Sequence, residues 1–87
     1  MLPNVFYSLG TLTGAVTISL ASAVSGIENE YKFKFTSDST APTITWPNSI
    51  TAWAGNCLDS STQLPVITAG STYEVSVLDG LAVIVEY

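Results

Sequence analysis

The stretch Glu30-Tyr31-Lys32-Phe33-Lys34-Phe35-Thr36-Ser37 decides how this chain folds. Successive side chains of an extended strand point to opposite faces, so Tyr31, Phe33 and Phe35 fall on one side and Lys32, Lys34 and Thr36 on the other. This is the alternation of a half-buried strand, and it is the clearest in the sequence. It also puts both positive charges of the chain on the outward face of one element.

The same period recurs downstream, where Tyr73, Val75 and Val77 alternate with Glu74 and Ser76. Asp79-Gly80 follows. It is the best hairpin signal present, because a two-residue type I′ turn needs positive φ at both positions. The return strand runs from Leu81 to Tyr87. Leu81, Val83 and Val85 share one of its faces, yet Ala82 and Ile84 make the other face apolar too. A strand apolar on both sides is either central in a covered sheet or pressed against another subunit. In a small domain with few charges the second reading is favoured, which assigns Ala82, Ile84 and Tyr87 to a subunit contact. Charge introduced by Ile84→Lys is then expected to dissociate the assembly.

Between these strands, Ser37 to Pro42 reads as a turn. Ile44 and Trp46 share a face opposite Thr43 and Thr45 until Pro47-Asn48 ends the run. Ile50 to Ala54 is a short strand closed by Gly55-Asn56, and residues 57–63 form a polar loop. Leu64 to Ala69 is a brief extended piece containing Pro65, ended by Gly70-Ser71. Upstream, Val5 to Leu9 is β-branched and aromatic, Gly10 and Gly14 bracket a turn, Ala15 to Ala21 is a second strand, and Ser22 to Asn29 is a loop.

Leu9 to Val24 is apolar enough to raise a membrane or export segment, and Ala21-Ser22-Ala23 has the small-x-small pattern of a signal-peptidase site. The stretch lacks the basic leading region of a secretory signal. Gly10, Thr11, Thr13, Gly14, Thr17 and Ser19 also interrupt it well short of the roughly 20 apolar residues of a spanning helix. Val16, Ile18 and Leu20 alternate with Thr17 and Ser19, which is a strand period.

No segment carries apolar residues at spacings of three and four, so little or no helix is expected. Short strands separated by turn residues at intervals of about 8–14 residues indicate an all-β chain, a small antiparallel β-sandwich or jelly-roll-like barrel. The 87 residues make one domain, 1–87, with 1–13 as an N-terminal strand or arm and 14–87 as the core module.

Only 10% of residues are charged, against about 25% in ordinary soluble domains. Lys32 and Lys34 face seven acids, for a net charge of -5, and there is no arginine. Nucleic acid is therefore not an expected partner, because displacing counterions from phosphates needs a basic patch. Ser and Thr make up about a quarter of the chain and keep its surface polar without charge. Such a surface suits close-packed assemblies, and association is a common remedy for a thin core.

Chemistry is scarce. Cys57 is the only cysteine, so no intrachain disulfide forms, and with no histidine to generate a thiolate it reads as a small buried hydrophobe. Acid–base work would fall to Glu28, Glu30, Asp38, Asp59, Glu74, Asp79 and Glu86. Glu28 and Glu30 could pair as glycosidase carboxylates do, but they precede an exposed strand face and read as solvated. A Ser-His-Asp triad lacks its imidazole, a Ser-Lys pair lacks a motif, and Gly-rich phosphate loops are missing. No ligand-spaced acidic loop or Cys/His cluster supports a metal. No catalytic, cofactor-binding or metal-binding residue is assigned, and the chain is not expected to be an enzyme.

The aromatic residues leave a binding module open. Trp46, Trp53, Tyr7, Tyr31, Tyr73 and Tyr87 either stack on sugar rings or fill core and interface. Trp46 shares the parity of Ile44 and precedes Pro47, which favours the core. Trp53 lies near Gly55-Asn56 at a loop end and is the candidate ligand contact. On that reading the chain is a carbohydrate-binding or adhesin-type sandwich.

Three segments in order carry a family resemblance: Glu30 to Ser37, Ala41-Pro42-Thr43-Ile44-Thr45-Trp46-Pro47, and Ile67-Thr68-Ala69-Gly70-Ser71-Thr72-Tyr73-Glu74-Val75-Ser76-Val77. An aromatic strand ending in Phe-Thr-Ser, a Pro-bounded strand and a Tyr-Glu-Val-Ser strand after polar turns resemble a small β domain of bacteriophage virion proteins. The resemblance covers residues 14–87. It implies a structural component of the head-fibre, tail or capsid-decoration type, located in the virion and assembling as a homo-oligomer, often a trimer. Other virion proteins are the partners it implies; a host-surface glycan is the further partner that the aromatic residues leave open, and neither a membrane nor a cofactor is expected. Such domains often end longer proteins, so the chain is expected to be either a small stand-alone virion protein or an excised domain.

Overall fold

In a computed structural model of the chain, which describes residues 1–22, 25–26 and 29–87, the described residues contain strands and no helix. The strands are β1 (Phe6–Leu12), β2 (Ala15–Thr17), β3 (Glu30–Ser37), β4 (Thr43–Thr45), β5 (Ala52–Gly55), β6 (Thr72–Leu78) and β7 (Leu81–Glu86). Five form one sheet in the order β1-β3-β6-β7-β5, and β2 pairs with β4 in a second, small sheet.

The registers stack side chains into ranks across the large sheet. Tyr7, Phe33, Val75, Ile84 and Gly55 are successive partners in one rank. Tyr31, Val77, Ala82 and Trp53 form a second, and Phe35, Tyr73 and Glu86 a third. Phe33, Phe35, Tyr73, Val75, Ala82 and Ile84 are essentially fully buried. The small sheet and its flanking segments bring Val16, Ile18, Ile44, Trp46 and Ile50 against this face. Phe35 stacks on Tyr73 with ring centroids 5.2 Å apart. Each fully buried Phe contributes roughly 2–3 kcal/mol relative to exposure.

The hairpin forms as its sequence requires. Asp79 and Gly80 adopt φ of 51° and 80°, and Leu78 pairs with Leu81 across them. Both signs match a type I′ turn, whose twist suits the flanking strands.

Several expectations are corrected. The large sheet is mixed rather than antiparallel: β3–β6 and β6–β7 are antiparallel, whereas β1–β3 and β5–β7 are parallel, as is β2–β4. After β1 the chain leaves for the second sheet and re-enters at β3 from the starting end, and such a crossover makes a parallel pair. The sheet ends in two different edge strands, β1 and β5, so it does not close into a barrel. Gly10 does not begin a turn. It lies inside β1 at φ 71°, where the register shifts between Ser8 and Thr11. Two residues, Leu9 and Gly10, there oppose Phe35 alone, which is a bulge, and glycine relieves the strain of positive φ. The bulge changes the parity of β1, so Tyr7 before it, Leu9 within it and Leu12 after it all reach the core.

The strand expected over Ala15 to Ala21 stops at Thr17. Beyond it, Ser19 and Ala21 bond to the backbone of Met1 instead of to β4. The strand expected over Ile50 to Ala54 is displaced to Ala52–Gly55, because Ile50 N–H is used by the Pro47 carbonyl in a turn. Leu64 to Ala69 forms no strand, only an isolated bridge between Leu58 and Pro65, and Pro65 has no N–H to extend a ladder.

Gly55 is the tightest point of the sheet. A Cβ there would lie 1.9 Å from the Ile84 carbonyl oxygen, at a φ of 145° that side chains rarely adopt. Gly55→Ala is therefore expected to lower stability by about 2 kcal/mol or more through strain and a displaced β5. Urea unfolding of the variant beside wild type measures this.

Candidate functional site

The opposite face of the large sheet follows from the same registers. Leu78, Leu81 and Ala52 form one rank with Glu30, and Ser76, Val83 and Ala54 another with Lys32 and Phe6. Val85, Glu74, Lys34 and Ser8 form the third. Leu78, Leu81, Val83 and Val85 remain 39–46% exposed, so an apolar stripe runs along β7 onto the end of β6. Lys32 Nζ lies 5.5 Å from the Phe6 ring centroid, over its face, an attractive arrangement for a cation and a ring.

This face corrects the subunit contact read from the sequence. Ala82 and Ile84 are 0% exposed and belong to the domain's own core, so neither can touch another molecule. Tyr87, at 69% exposed, does lie on the outward side. Its hydroxyl donates to Glu74, and its N–H donates to the Thr72 carbonyl at 2.9 Å. The outward residues that sequence reasoning passed over are Leu78, Leu81, Val83 and Val85. A signal for them was present. A two-residue turn at Asp79-Gly80 pairs Val77 with Ala82 and Val75 with Ile84, so a buried Val75 and Val77 oblige Ala82 and Ile84 to point inward as well.

Trp53, the candidate ligand contact, is half-buried in the rank of Tyr31, Val77 and Ala82. Its ring stands at 67° to that of Trp46, with centroids 4.9 Å apart. The two indoles support each other and the core.

The carboxylates are dispersed into separate local roles. Glu28 lies outside the described residues, so its pairing with Glu30 does too. Glu30 begins β3, where its N–H donates to Asn4 Oδ1 at 3.1 Å. Asp59 Oδ1 accepts from Ser61 N–H at 2.8 Å, Ser61 Oγ at 3.0 Å and Thr62 N–H at 3.2 Å. These bonds hold its carboxyl below the usual range and brace the loop after β5. Asp79 sits in the hairpin turn. Asn56 caps the end of β7 with its side-chain amide, donating to the Glu86 carbonyl at 3.1 Å and accepting from Glu86 N–H at 2.8 Å. Burial, and then the Glu86 charge, push the Cys57 thiol up, so it stays protonated at neutral pH. Among the described residues no three His, Cys, Asp or Glu side chains converge on a point that could hold a metal ion.

Set beside known proteins, the chain matches no family model, no curated protein and no solved structure.

One part-buried polar pair is a sensitive reporter of the core. Tyr73 donates its hydroxyl hydrogen to Glu86 Oε2 at 2.6 Å and accepts from Thr68 N–H at 2.6 Å. Burial, followed by the bond to Glu86, pushes the Tyr73 phenol above its ordinary value of 10.0. The folded state thus holds this proton more tightly than the unfolded chain does. The resulting stability is complete below pH about 10 and is lost as pH rises through the raised folded value. Tyr73→Phe is expected to cost about 1–2 kcal/mol at pH 7, by stranding Glu86 and Thr68 N–H. It should also weaken the alkaline loss of stability, read by urea melts at neutral pH and above pH about 10.

Proposed function

We propose that this chain is a non-enzymatic structural module of a bacteriophage particle, of the head-fibre, tail or capsid-decoration type, working through assembly with copies of itself, a trimer being favoured. We read the packing of the small sheet over one face of the large sheet as a reduced β-sandwich whose other face is left for a neighbour.

The observation that carries this reading is the uncovered face of β6, β7 and β5. It combines the exposed Leu78, Leu81, Val83 and Val85 with an even charge balance. Both lysines lie on this side of the sheet, Lys34 opposite Glu74 and Lys32 two residues along β3 from Glu30, although the whole chain carries -5. Copies with a large common charge repel one another. They meet at least cost where the local charge cancels and apolar area can be removed from water. The low charge content and the order of the three virion-like segments support the same reading. With the Asp59, Glu74 and Glu86 carboxylates held in local hydrogen bonds, the chain offers contact surfaces in place of reactive groups.

Native mass spectrometry and light scattering test this. Wild type is expected to be an oligomer, with a trimer the favoured mass, and Val83→Lys to shift it to monomer while the domain still folds. Ile84→Lys, by contrast, places a charge in the core and is expected to unfold the domain, at a cost of about 4 kcal/mol or more. A monomeric wild type at micromolar concentration, or an oligomer unaffected by Val83→Lys, overturns the proposal.

A further inference from the structure

Away from the apolar face, the ends of β2 and β4 and the turn after β4 surround an open cleft of about 420 Å³. Pockets that hold small organic ligands fall in the range of about 300–1,000 Å³. Trp46 forms part of the wall, and the polar residues among its lining are Thr17, Ser19, Thr45, Asn48 and Ser49. No charged side chain lines the cleft. Within the described residues these five polar side chains make no hydrogen bond, and all five residues are exposed.

The frame of the cleft is held from beneath. Ile18 N–H donates to the Thr45 carbonyl at 3.0 Å, tying the two strand ends together, and Ile50 N–H donates to the Pro47 carbonyl at 3.1 Å, closing the turn that presents Asn48 and Ser49. Trp46 is braced by Trp53 and by Phe35, whose ring centroid lies 6.5 Å from its own. A braced indole loses little conformational freedom when a ligand packs on it.

Each feature narrows the ligand. Without a cation in the wall, a phosphate, carboxylate or sulfate has nothing to pair with. Without a carboxylate, a cationic ligand has no counter-charge. Five free hydroxyl and amide groups, which both donate and accept, would be left unpaired by a purely apolar ligand, at a cost. A saccharide ring presents hydroxyls at its rim and C–H groups on its face, which matches neutral polar groups around an indole.

We propose that the Trp46 cleft binds a neutral saccharide, with Trp46 as the apolar platform and Asn48, Ser49, Thr45, Thr17 and Ser19 as hydrogen-bonding partners. The site is separate from the β6–β7–β5 face and does not require assembly, so either proposal can fail alone. It also moves the ligand contact from Trp53, which braces the platform, to Trp46.

The test is an amide-resolved NMR titration of the full chain with maltotriose, cellotriose, chitotriose and lactose, with trigalacturonate as the acidic control. At least one neutral probe is expected to give saturable shifts at residues 17–20 and 45–49 and at the Trp46 indole N–H. Affinities near millimolar would be typical of a shallow site with few contacts. Asn48→Ala alters an exposed turn residue and is expected to weaken binding about three- to tenfold while leaving the native mass unchanged. The proposal is overturned if no neutral probe saturates these residues by about 20 mM. Shifts that map elsewhere, stronger binding of trigalacturonate, or unchanged affinity in Asn48→Ala also overturn it.

Discussion

Phe33, Val75 and Ile84 lie side by side because β3, β6 and β7 are hydrogen-bonded in a single antiparallel register. Side chains alternate along each strand, so a slip of one residue would exchange the two faces of that strand. It would bring Lys32 and Lys34 inward and expose Phe33 and Phe35. Every buried aromatic residue of the sheet depends on this alignment. The two-residue turn at Asp79-Gly80 enforces it for β6 and β7, because its length leaves no slack. Gly55 extends the alignment to β5 by letting the backbone of β5 come close to the Ile84 carbonyl.

From this ladder the two faces acquire different uses. One is covered by the small sheet and the segments beside it, which supply Val16, Ile18, Ile44 and Trp46. The other holds the apolar stripe of β7 and the two lysines with their balancing acids. The edges are treated differently again. An unpaired strand edge invites other chains to pair with it, and a bulge blunts it. In β1 the bulge at Gly10 also brings Leu12 onto the core side.

Three of the carboxylates are held in local hydrogen bonds. Asp59 caps the turn after β5, Glu86 accepts from the buried Tyr73, and Glu74 accepts from Tyr87. Among the described residues no three His, Cys, Asp or Glu side chains converge. Around Trp46 the polar side chains lining the cleft are neutral hydroxyls and amides. Neutral groups recognise by shape and hydrogen bonding, which is the kind of work both proposals assign to the molecule.

Much of this could be read along the chain. The alternation at Tyr31–Phe35 and Tyr73–Val77, the type I′ turn and the scarcity of helix spacing are local properties, because each depends on residues a few positions apart. They settled that the chain is all-β and which sides of β3 and β6 are buried. The directions of β1 and β5, the bulge at Gly10 and the irregular path of Leu64 to Ala69 depend on partners distant in sequence, and local pattern is blind to them. The strand from Leu81 to Glu86 shows the boundary most clearly. It is apolar on both sides, so its own residues do not say which side is covered. Pairing with β6 turns Ala82 and Ile84 into the core and leaves Leu81, Val83 and Val85 exposed, because burial belongs to the packed whole and not to any one strand.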